Sequence, residues 1–325
     1  MKSALQKVRM IQKIISEIEI NSTFLITAHE NPDGDAVGSS LALANFLSAI
    51  GKEVIIYHCD PLPDNYAFLP MADRICSVIP EQFYDICFVL DAGDLCRAGS
   101  DLATFGKIGK IINIDHHPDN KKFGELNLVD PKASATGALI YRILTAAGHA
   151  IDYDTALCIY TAIVTDTGSF RYSNANPEAF TISAAMVACG INPWFVAERL
   201  YESQPRQRLE LLTLALATLQ VADRGDVASI TVTLDMYNKT GASPDLTDGF
   251  VNYPRSIRGV EVAVFFREIE GGSFKVGFRS KGSVDVSAIA AAFGGGGHHN
   301  AAGCKIPGPI EEARNRVISY IENSF

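Results

Sequence analysis

The sequence lacks several things that would each have named a class of protein. No uninterrupted apolar run approaches the roughly 18 residues that a membrane span requires, and the first residues lack the short apolar core of a signal peptide. A cytoplasmic location with no membrane partner is expected. Basic charge is in deficit: 28 Lys and Arg stand against 37 Asp and Glu, a net charge of -9. Coating long duplex nucleic acid needs a basic stripe that neutralises many phosphates, so that function is excluded, whereas short or small anionic substrates stay open. The deficit is uneven, because residues 222–325 hold 11 Lys and Arg against 12 Asp and Glu, leaving 17 against 25 on residues 1–221. The seven cysteines have no CxxC spacing and sit mostly in apolar runs, which reads as buried free thiols rather than a disulfide framework or a zinc site.

With 325 residues, 47% of them hydrophobic and 20% charged, the chain is long enough for two cores. Past an amphipathic helix at about 4–18, short β-rich runs alternate with helical patterns: FLITA, a helix at about 36–50 ended by Gly51, EVIIYHC, DICFVL, KIINI, then helices near 135–147 and 154–164. Continuously apolar strands alternating with helices imply an α/β fold, a doubly wound and mostly parallel sheet covered on both faces. Residues 1–190 are assigned to this domain and 191–210 to a connector. In 211–325 the alternation of VASITVTL, VEVAVFFREI and SFKVGFRS predicts an antiparallel sheet in a smaller α+β domain, with helices at SAIAAAF and at about 310–321.

Six polar residues follow the apolar runs of the first domain: His29, Asp33 and Asp35 after FLITA, Asp91 after ICFVL, His116 after IINI, and Asp166 after the run 156–164. Ligands of open parallel sheets bind beyond the carboxyl ends of the strands, so residues placed there converge however far apart they are in sequence. Four carboxylates in one crevice repel one another unless about two divalent cations neutralise them. The pattern therefore predicts a two-metal hydrolase. Mixed His and Asp ligation without thiolate suits manganese first, with magnesium and cobalt accepting overlapping ligand sets. For Asp33 and Asp35 taken alone, a turn followed by a helix N-cap explains the residues equally well.

The motifs HENPDGDA, LDAGD, Asp115-His116-His117 and TDTGSFRYS, in that order, resemble those of the DHH phosphoesterase superfamily, and FRSKGSVDVSAIAAAFGGGGHHNAAG resembles its DHH-associated substrate domain. Within that superfamily the chain is most similar to the nanoRNase and pAp-phosphatase branch. The resemblance implies one metal on His29, Asp33 and Asp91 and a second on Asp35, Asp91, His116 and Asp166, with Asp91 bridging. It also implies that His117 faces the substrate phosphate or leaving oxygen, and that Asp115 orients the ligand shell; a scaffold role for Asp115 and a packing role for His117 are the alternatives. The active site would lie in the interdomain cleft.

Glycines 294–297, followed by His298, offer unhindered amides for a phosphate, and Arg279, Ser280 and Lys281 end a strand with a guanidinium fork and a point charge. A flexible loop and exposed surface cations are the plainer readings. The resemblance implies that Arg279, Ser280, Lys281, Gly295, Gly296, Gly297 and His298 bind the distal phosphate and base. Asp285 and Ser287 are expected to order the helix that follows them, and Trp194 and Phe250 to pack. The implied activity is hydrolysis of short oligoribonucleotides to mononucleotides and of 3'-phosphoadenosine 5'-phosphate to AMP. Phosphodiesterase action on linear or cyclic dinucleotides, pyrophosphatase or exopolyphosphatase action, and a non-catalytic nucleotide sensor are the alternatives. A homodimer is compatible with the sequence.

Overall fold

A computed structural model describes residues 2–324, with side chains for 5–297 and 299–324. It falls into two compact units, residues 1–203 and 204–325.

The first unit is built on β1 (Thr23–Thr27), β2 (Glu53–Tyr57), β3 (Ile75–Cys76), β4 (Tyr84–Leu90), β5 (Ile108–Asp115) and β6 (Leu126–Val129). All of their pairings are parallel, in the order β3-β2-β1-β4-β5-β6. The chain thus builds outward from β1 on one side, then returns to start the other side with β4. Between β1 and β4 lies the switch point at which open sheets bind ligands.

The helices are α1 (Lys2–Ile20), α2 (Gly34–Ala49), the short α3 (Ser100–Thr104), α4 (Thr136–Ala146), α5 (Tyr153–Asp166), α6 (Pro177–Ala188) and α7 (Pro193–Ala197). One face of the sheet buries Phe24, Ile26, Phe88 and Ile112 against α2, α4 and α5. The other buries Leu25, Tyr57, Tyr84 and Val89 under α3 and its flanking turns. Burial on both faces is why the strands are continuously apolar. Ile191, Val196 and Leu200 belong to the first of these cores, so the early part of the segment read as a connector packs as part of the first unit.

Two helices, α2 and α4, are built to touch a third, α5. Gly38 of α2 faces α5 so closely that a Cβ on it would lie 2.6 Å from the Cys158 carbonyl oxygen, and a Cβ on Gly137 of α4 would lie 2.6 Å from that of Ala162. Only glycine permits these approaches. They bring Asp35, Thr136 and Asp166, one from each helix, to one end of the sheet.

The second unit comprises α8 (Arg206–Leu216), β7 (Gln220–Val221), β8 (Val227–Val232), α9 (Leu234–Thr240), α10 (Asn252–Arg255), β9 (Val262–Ile269), β10 (Ser273–Ser280), α11 (Val286–Ala292), β11 (Gly296–His298), β12 (Ala301–Pro307) and α12 (Ile310–Asn323). Its sheet runs β11-β12-β10-β9-β8-β7. The expected antiparallel sheet is corrected at one place: β8 and β9 pair in parallel, Val227 opposite Val262. Parallel neighbours need a long crossover. Residues 233–261 supply it, with α9 and α10 inside it, a length that alternation within single strands does not register.

All seven cysteines are free; Cys87, Cys158 and Cys304 are buried and Cys96 is exposed. Phe250 is fully buried as expected, under the Arg208 guanidinium, whereas Trp194 is exposed and does not pack. Among the described residues no single helix is long and apolar enough to cross a membrane.

Candidate metal centre

His29 leaves the end of β1 and Asp91 the end of β4, on the two sides of the switch point. Asp91 adopts φ 54°, a left-handed conformation that costs a non-glycine residue free energy and turns the chain sharply out of the strand. Its amide still donates to the Ile114 carbonyl at 3.0 Å, extending the β4–β5 ladder to the turn itself. His116 and His117 follow β5 directly. Asp166 ends α5 rather than a strand, so its place depends on helix packing.

Three groups of donors lie close enough to hold an ion: His29 with Asp33 and Asp91; Asp35 with His116 and Asp166; and Asp91 with His116 and His117. The first two divide the oxygens of Asp91. Oδ2 is 3.5 Å from His29 Nε2, while Oδ1 is 3.5 Å from His116 Nε2. His29 Nε2 is 3.8 Å from Asp33 Oδ1, and His116 Nε2 is 3.8 Å from Asp35 Oδ2 and 3.7 Å from Asp166 Oδ2. These separations exceed the roughly 2.7–3.2 Å of a hydrogen bond. They suit donors sharing one ion, since ligand atoms each about 2.1 Å from a cation stand roughly 3–3.5 Å apart. Nitrogen and oxygen donors without thiolate complete the fit to a divalent cation.

Each imidazole is turned by its other nitrogen. His29 Nδ1 lies 2.7 Å from the Glu30 carbonyl oxygen and His116 Nδ1 lies 3.4 Å from that of Ala133, so in the neutral rings the proton sits on Nδ1 and the Nε2 lone pair is left for a cation. His117 is different. Its Nδ1 is 2.6 Å from Asp115 Oδ1 and donates there, so any part this ring takes in the third group falls to Nε2. Asp115 is fully buried, its Oδ2 accepting from Asn120 Nδ2 at 2.6 Å, and Asn120 in turn reaches Asn113 Oδ1 at 2.7 Å. Asp115 therefore holds a histidine and belongs to none of the three donor groups.

Asp33 serves both of the roles its sequence position allows. Its Oδ1 caps α2, accepting from the Asp35 and Ala36 amides at 3.0 Å each, and is the same oxygen that faces His29. Asp35 caps a helix other than its own: α4 has no side-chain cap from Ala135, and the amides of Thr136 and Gly137 donate to Asp35 Oδ2 and Oδ1 at 2.6 and 2.9 Å. Ser39 Oγ adds a third donor at 2.8 Å. Asn174 Nδ2 donates to Asp166 Oδ2 at 2.8 Å and to the Ser134 carbonyl at 2.9 Å. Thr136, Ser39, Asn113, Asn120 and Asn174 were not found from the sequence. Asn113 alone left a signal there, as a polar residue inside the apolar run IINI.

Charge in the centre is unbalanced without cations. Burial pushes Asp35 well above the usual carboxylate range and the charges of Asp91 and Asp166 push it further. Burial, with Asp91 and Asp33, pushes Asp166 up to about 7 against the pull of His116. Burial also penalises the imidazolium forms, yet the adjacent carboxylates prevail and raise His29 to about 11 and His116 to about 9. Asp91 moves the other way: burial opposes its ionisation, but His29, His116 and His117 hold it below its ordinary value.

In the second unit Arg279 is half-buried, with NH1 3.0 Å from the Phe278 carbonyl. Ser280 is buried and donates to Asn300 Oδ1 at 3.0 Å, and exposed Lys281 donates to the Ile257 carbonyl at 3.0 Å. The amides of Gly294 and Gly295 donate to Ala291 and Ala290, closing α11, so those two are spent within the fold. Gly296 and Gly297 enter β11, and a Cβ on Gly295 would lie 2.1 Å from the Gly303 oxygen. The backbone of His298 pairs with Ala301; its side chain lies outside the described residues. Asp285 caps α11 and accepts from the Ser287 hydroxyl, as expected.

Residues 23–163 match the DHH family, N-terminal domain, and residues 226–324 match the DHHA1 domain. A bifunctional oligoribonuclease and PAP phosphatase NrnA of Thermus thermophilus is 33% identical over 98% of this chain and 95% of its own, and one of Bacillus subtilis is 26% identical over 91% and 93%. The crystal structure of an exopolyphosphatase-related protein from Bacteroides fragilis superposes with a TM-score of 0.90 at 31% identity, covering 96% of this chain and 95% of that one. This chain belongs to the DHH family, its catalytic-type N-terminal domain followed by a DHHA1 domain.

Proposed function

We propose that the chain is a two-metal phosphoesterase that hydrolyses short oligoribonucleotides to mononucleotides and 3'-phosphoadenosine 5'-phosphate to AMP, the activities for which its NrnA relatives are named. The observation that carries the metal part is Asp91, whose two oxygens address two separate donor groups. His29, Asp33 and Asp91 would hold one ion, and Asp91, Asp35, His116 and Asp166 the other. Manganese is the preferred cation, with magnesium or cobalt accepted. Such a pair, when bound, supplies Lewis acidity that lowers the pKa of water and offsets phosphoryl charge.

The protein's own groups do the rest. Asp115 fixes the His117 ring through Nδ1, so proton exchange by this ring falls to Nε2, which hands a proton to the leaving oxygen as the P–O bond breaks. Burial disfavours the imidazolium, but the hydrogen bond to Asp115 and the Asp91 charge raise its pKa, keeping that proton available near neutrality. Arg279, Ser280, Lys281, Gly296, Gly297 and His298 take the remaining phosphate and the base of the substrate.

The test is a panel of two- to five-residue RNA, 3'-phosphoadenosine 5'-phosphate, cyclic and linear dinucleotides, pyrophosphate and polyphosphate, each with manganese. Turnover of the first two above all others is expected, and its loss in Asp91→Ala with the fold retained by circular dichroism. A preference for polyphosphate would instead favour the activity suggested by the description of the Bacteroides fragilis protein.

A further inference from the structure

Thr136 hydrogen-bonds two of the three carboxylates of one metal set, Asp35 and Asp91. It is fully buried at the first turn of α4. Its hydroxyl donates to Asp91 Oδ1 at 3.0 Å, and its amide donates to Asp35 Oδ2 at 2.6 Å. Both of those oxygens face His116 Nε2, at 3.5 and 3.8 Å, as Asp166 Oδ2 does at 3.7 Å. No hydrogen bond from Thr136 reaches Asp33 or the Asp91 oxygen that faces His29.

We propose that Thr136 positions the second ion more than the first: it holds two oxygens of the second set directly and reaches the first set only through the shared carboxylate of Asp91, so that the two ions bind with unequal dependence on α4. The inference rests on the two-ion reading above and goes beyond it by separating the ions. A carboxylate on a left-handed residue at a strand end rotates about χ1 and χ2 unless something pins it. On Oδ1 the hydroxyl of Thr136 is that pin, and it leaves the other lone pair of the oxygen directed at the His116 group.

The same residue ties the pin to the helix. Because its amide holds Asp35 while its hydroxyl holds Asp91, any shift of the α4 N-terminus moves both oxygens together. A Cβ on Gly137, the next residue, would lie only 2.6 Å from the Ala162 Cβ of α5, the helix that carries Asp166, so three of the four second-set donors are registered on one turn of backbone. The first set is linked to Thr136 only through the shared Asp91; its other members are held elsewhere, Asp33 by the α2 amides and His29 by the Glu30 carbonyl.

Thr136→Val keeps the shape and removes the hydroxyl; Thr136→Ser keeps the hydroxyl. Each is made in the full-length chain in two backgrounds, His29→Gln to disable the first set and His116→Gln to disable the second. Manganese binding is read from the electron paramagnetic resonance of the free ion, and folding from circular dichroism. In the His29→Gln background Thr136→Val should weaken binding about 10–100-fold and Thr136→Ser should restore it to within a few-fold. In the His116→Gln background Thr136→Val should change binding by less than about threefold, because the hydroxyl holds the Asp91 oxygen that the first set does not use. Equal losses in both backgrounds, or none in either, would overturn the proposal, and Thr136→Ala replaces Thr136→Val if the latter does not fold. A chain with neither background substitution that binds one ion only would sink the two-ion reading and this inference with it; two ions with equal losses would sink this inference alone.

Discussion

The two units keep their polar side chains in different ways. In the first, six candidate ligands approach one another at 3.5–3.8 Å, too far to satisfy one another and close enough to share an ion. In the second, Ser280 and Lys281 hydrogen-bond within the unit, and two of the four glycine amides close α11. A metal centre is preorganised by its protein because misplaced carboxylates repel; phosphate contacts on a surface carry less of that cost and can be remade when substrate arrives. The first unit therefore displays its chemistry in the geometry of the protein alone, and the second does so far less.

The strongest way to break that contrast is to compare one residue from each unit on two substrates. Asp166→Asn should cost at least about a thousand-fold in kcat/KM on 3'-phosphoadenosine 5'-phosphate and on a one-phosphate aryl ester alike, because several kcal/mol of stabilisation at the reacting phosphorus are lost whatever the leaving group. Arg279→Ala should raise KM about 10–100-fold on the bisphosphate and leave the aryl ester nearly unchanged, a guanidinium–phosphate contact being worth roughly 1.5–3 kcal/mol. Equal losses from Arg279→Ala on both substrates would place it in the reacting centre and erase the distinction.

Acidity offers a second, smaller handle. Ligands must be deprotonated to bind metal, and in the metal-free chain His29, His116 and Asp166 hold protons up to about 11, 9 and 7 respectively. The sign follows: protons compete with cations, so binding releases protons near pH 7 and affinity rises with pH. Each proton displaced adds about tenfold in affinity per pH unit, and the slope should lessen as Asp166 loses its proton above about 7. Calorimetry of manganese binding in buffers of different ionisation enthalpy counts the protons. No release, or uptake, would mean that His29 and His116 are already neutral and Asp166 already ionised in the metal-free centre.

How much of this was legible in the sequence follows from what each feature depends on. His29, Asp91 and His116 come straight off strand ends, so a reading of apolar runs locates them and the parallel sheet predicts their convergence. Asp166 ends a helix, and its position depends on the closeness of α2 and α5, which no periodicity reports. Thr136, Asn174 and Ser39 act through a few hydrogen bonds each, from the early turns of helices and from a loop, where Ser, Thr and Asn are common for local reasons. The parallel β8–β9 pair escaped because alternation marks a half-buried strand without specifying its neighbour's direction. The glycine run was read for open amides, whereas the structure needs glycine at 295 because the backbone of Gly303 is against it.

The smallest effect tests whether helix closeness sets the ligand spacing, and again pairs the two units. Gly38→Ala introduces a Cβ 2.6 Å from the Cys158 oxygen and 3.0 Å from the Ala162 Cβ, contacts that only a separation of α2 from α5 relieves. Overpacking of this kind costs about 1–3 kcal/mol, partly offset by the roughly 1 kcal/mol that alanine gains over glycine within a helix. Gly277→Ala in β10 meets nothing within 4 Å and should stay within about 0.5 kcal/mol. Thermal unfolding in chelator should then show a midpoint lowered by a few degrees for Gly38→Ala only. Because α2 carries Asp35 and α5 carries Asp166, the same substitution should weaken the second ion while sparing the first, whose Asp33 and His29 lie on the β1–α2 turn. Should Gly38→Ala lower the midpoint yet bind both ions as before, the ligands would be spaced by their own hydrogen bonds to α4, and helix packing would matter to stability alone.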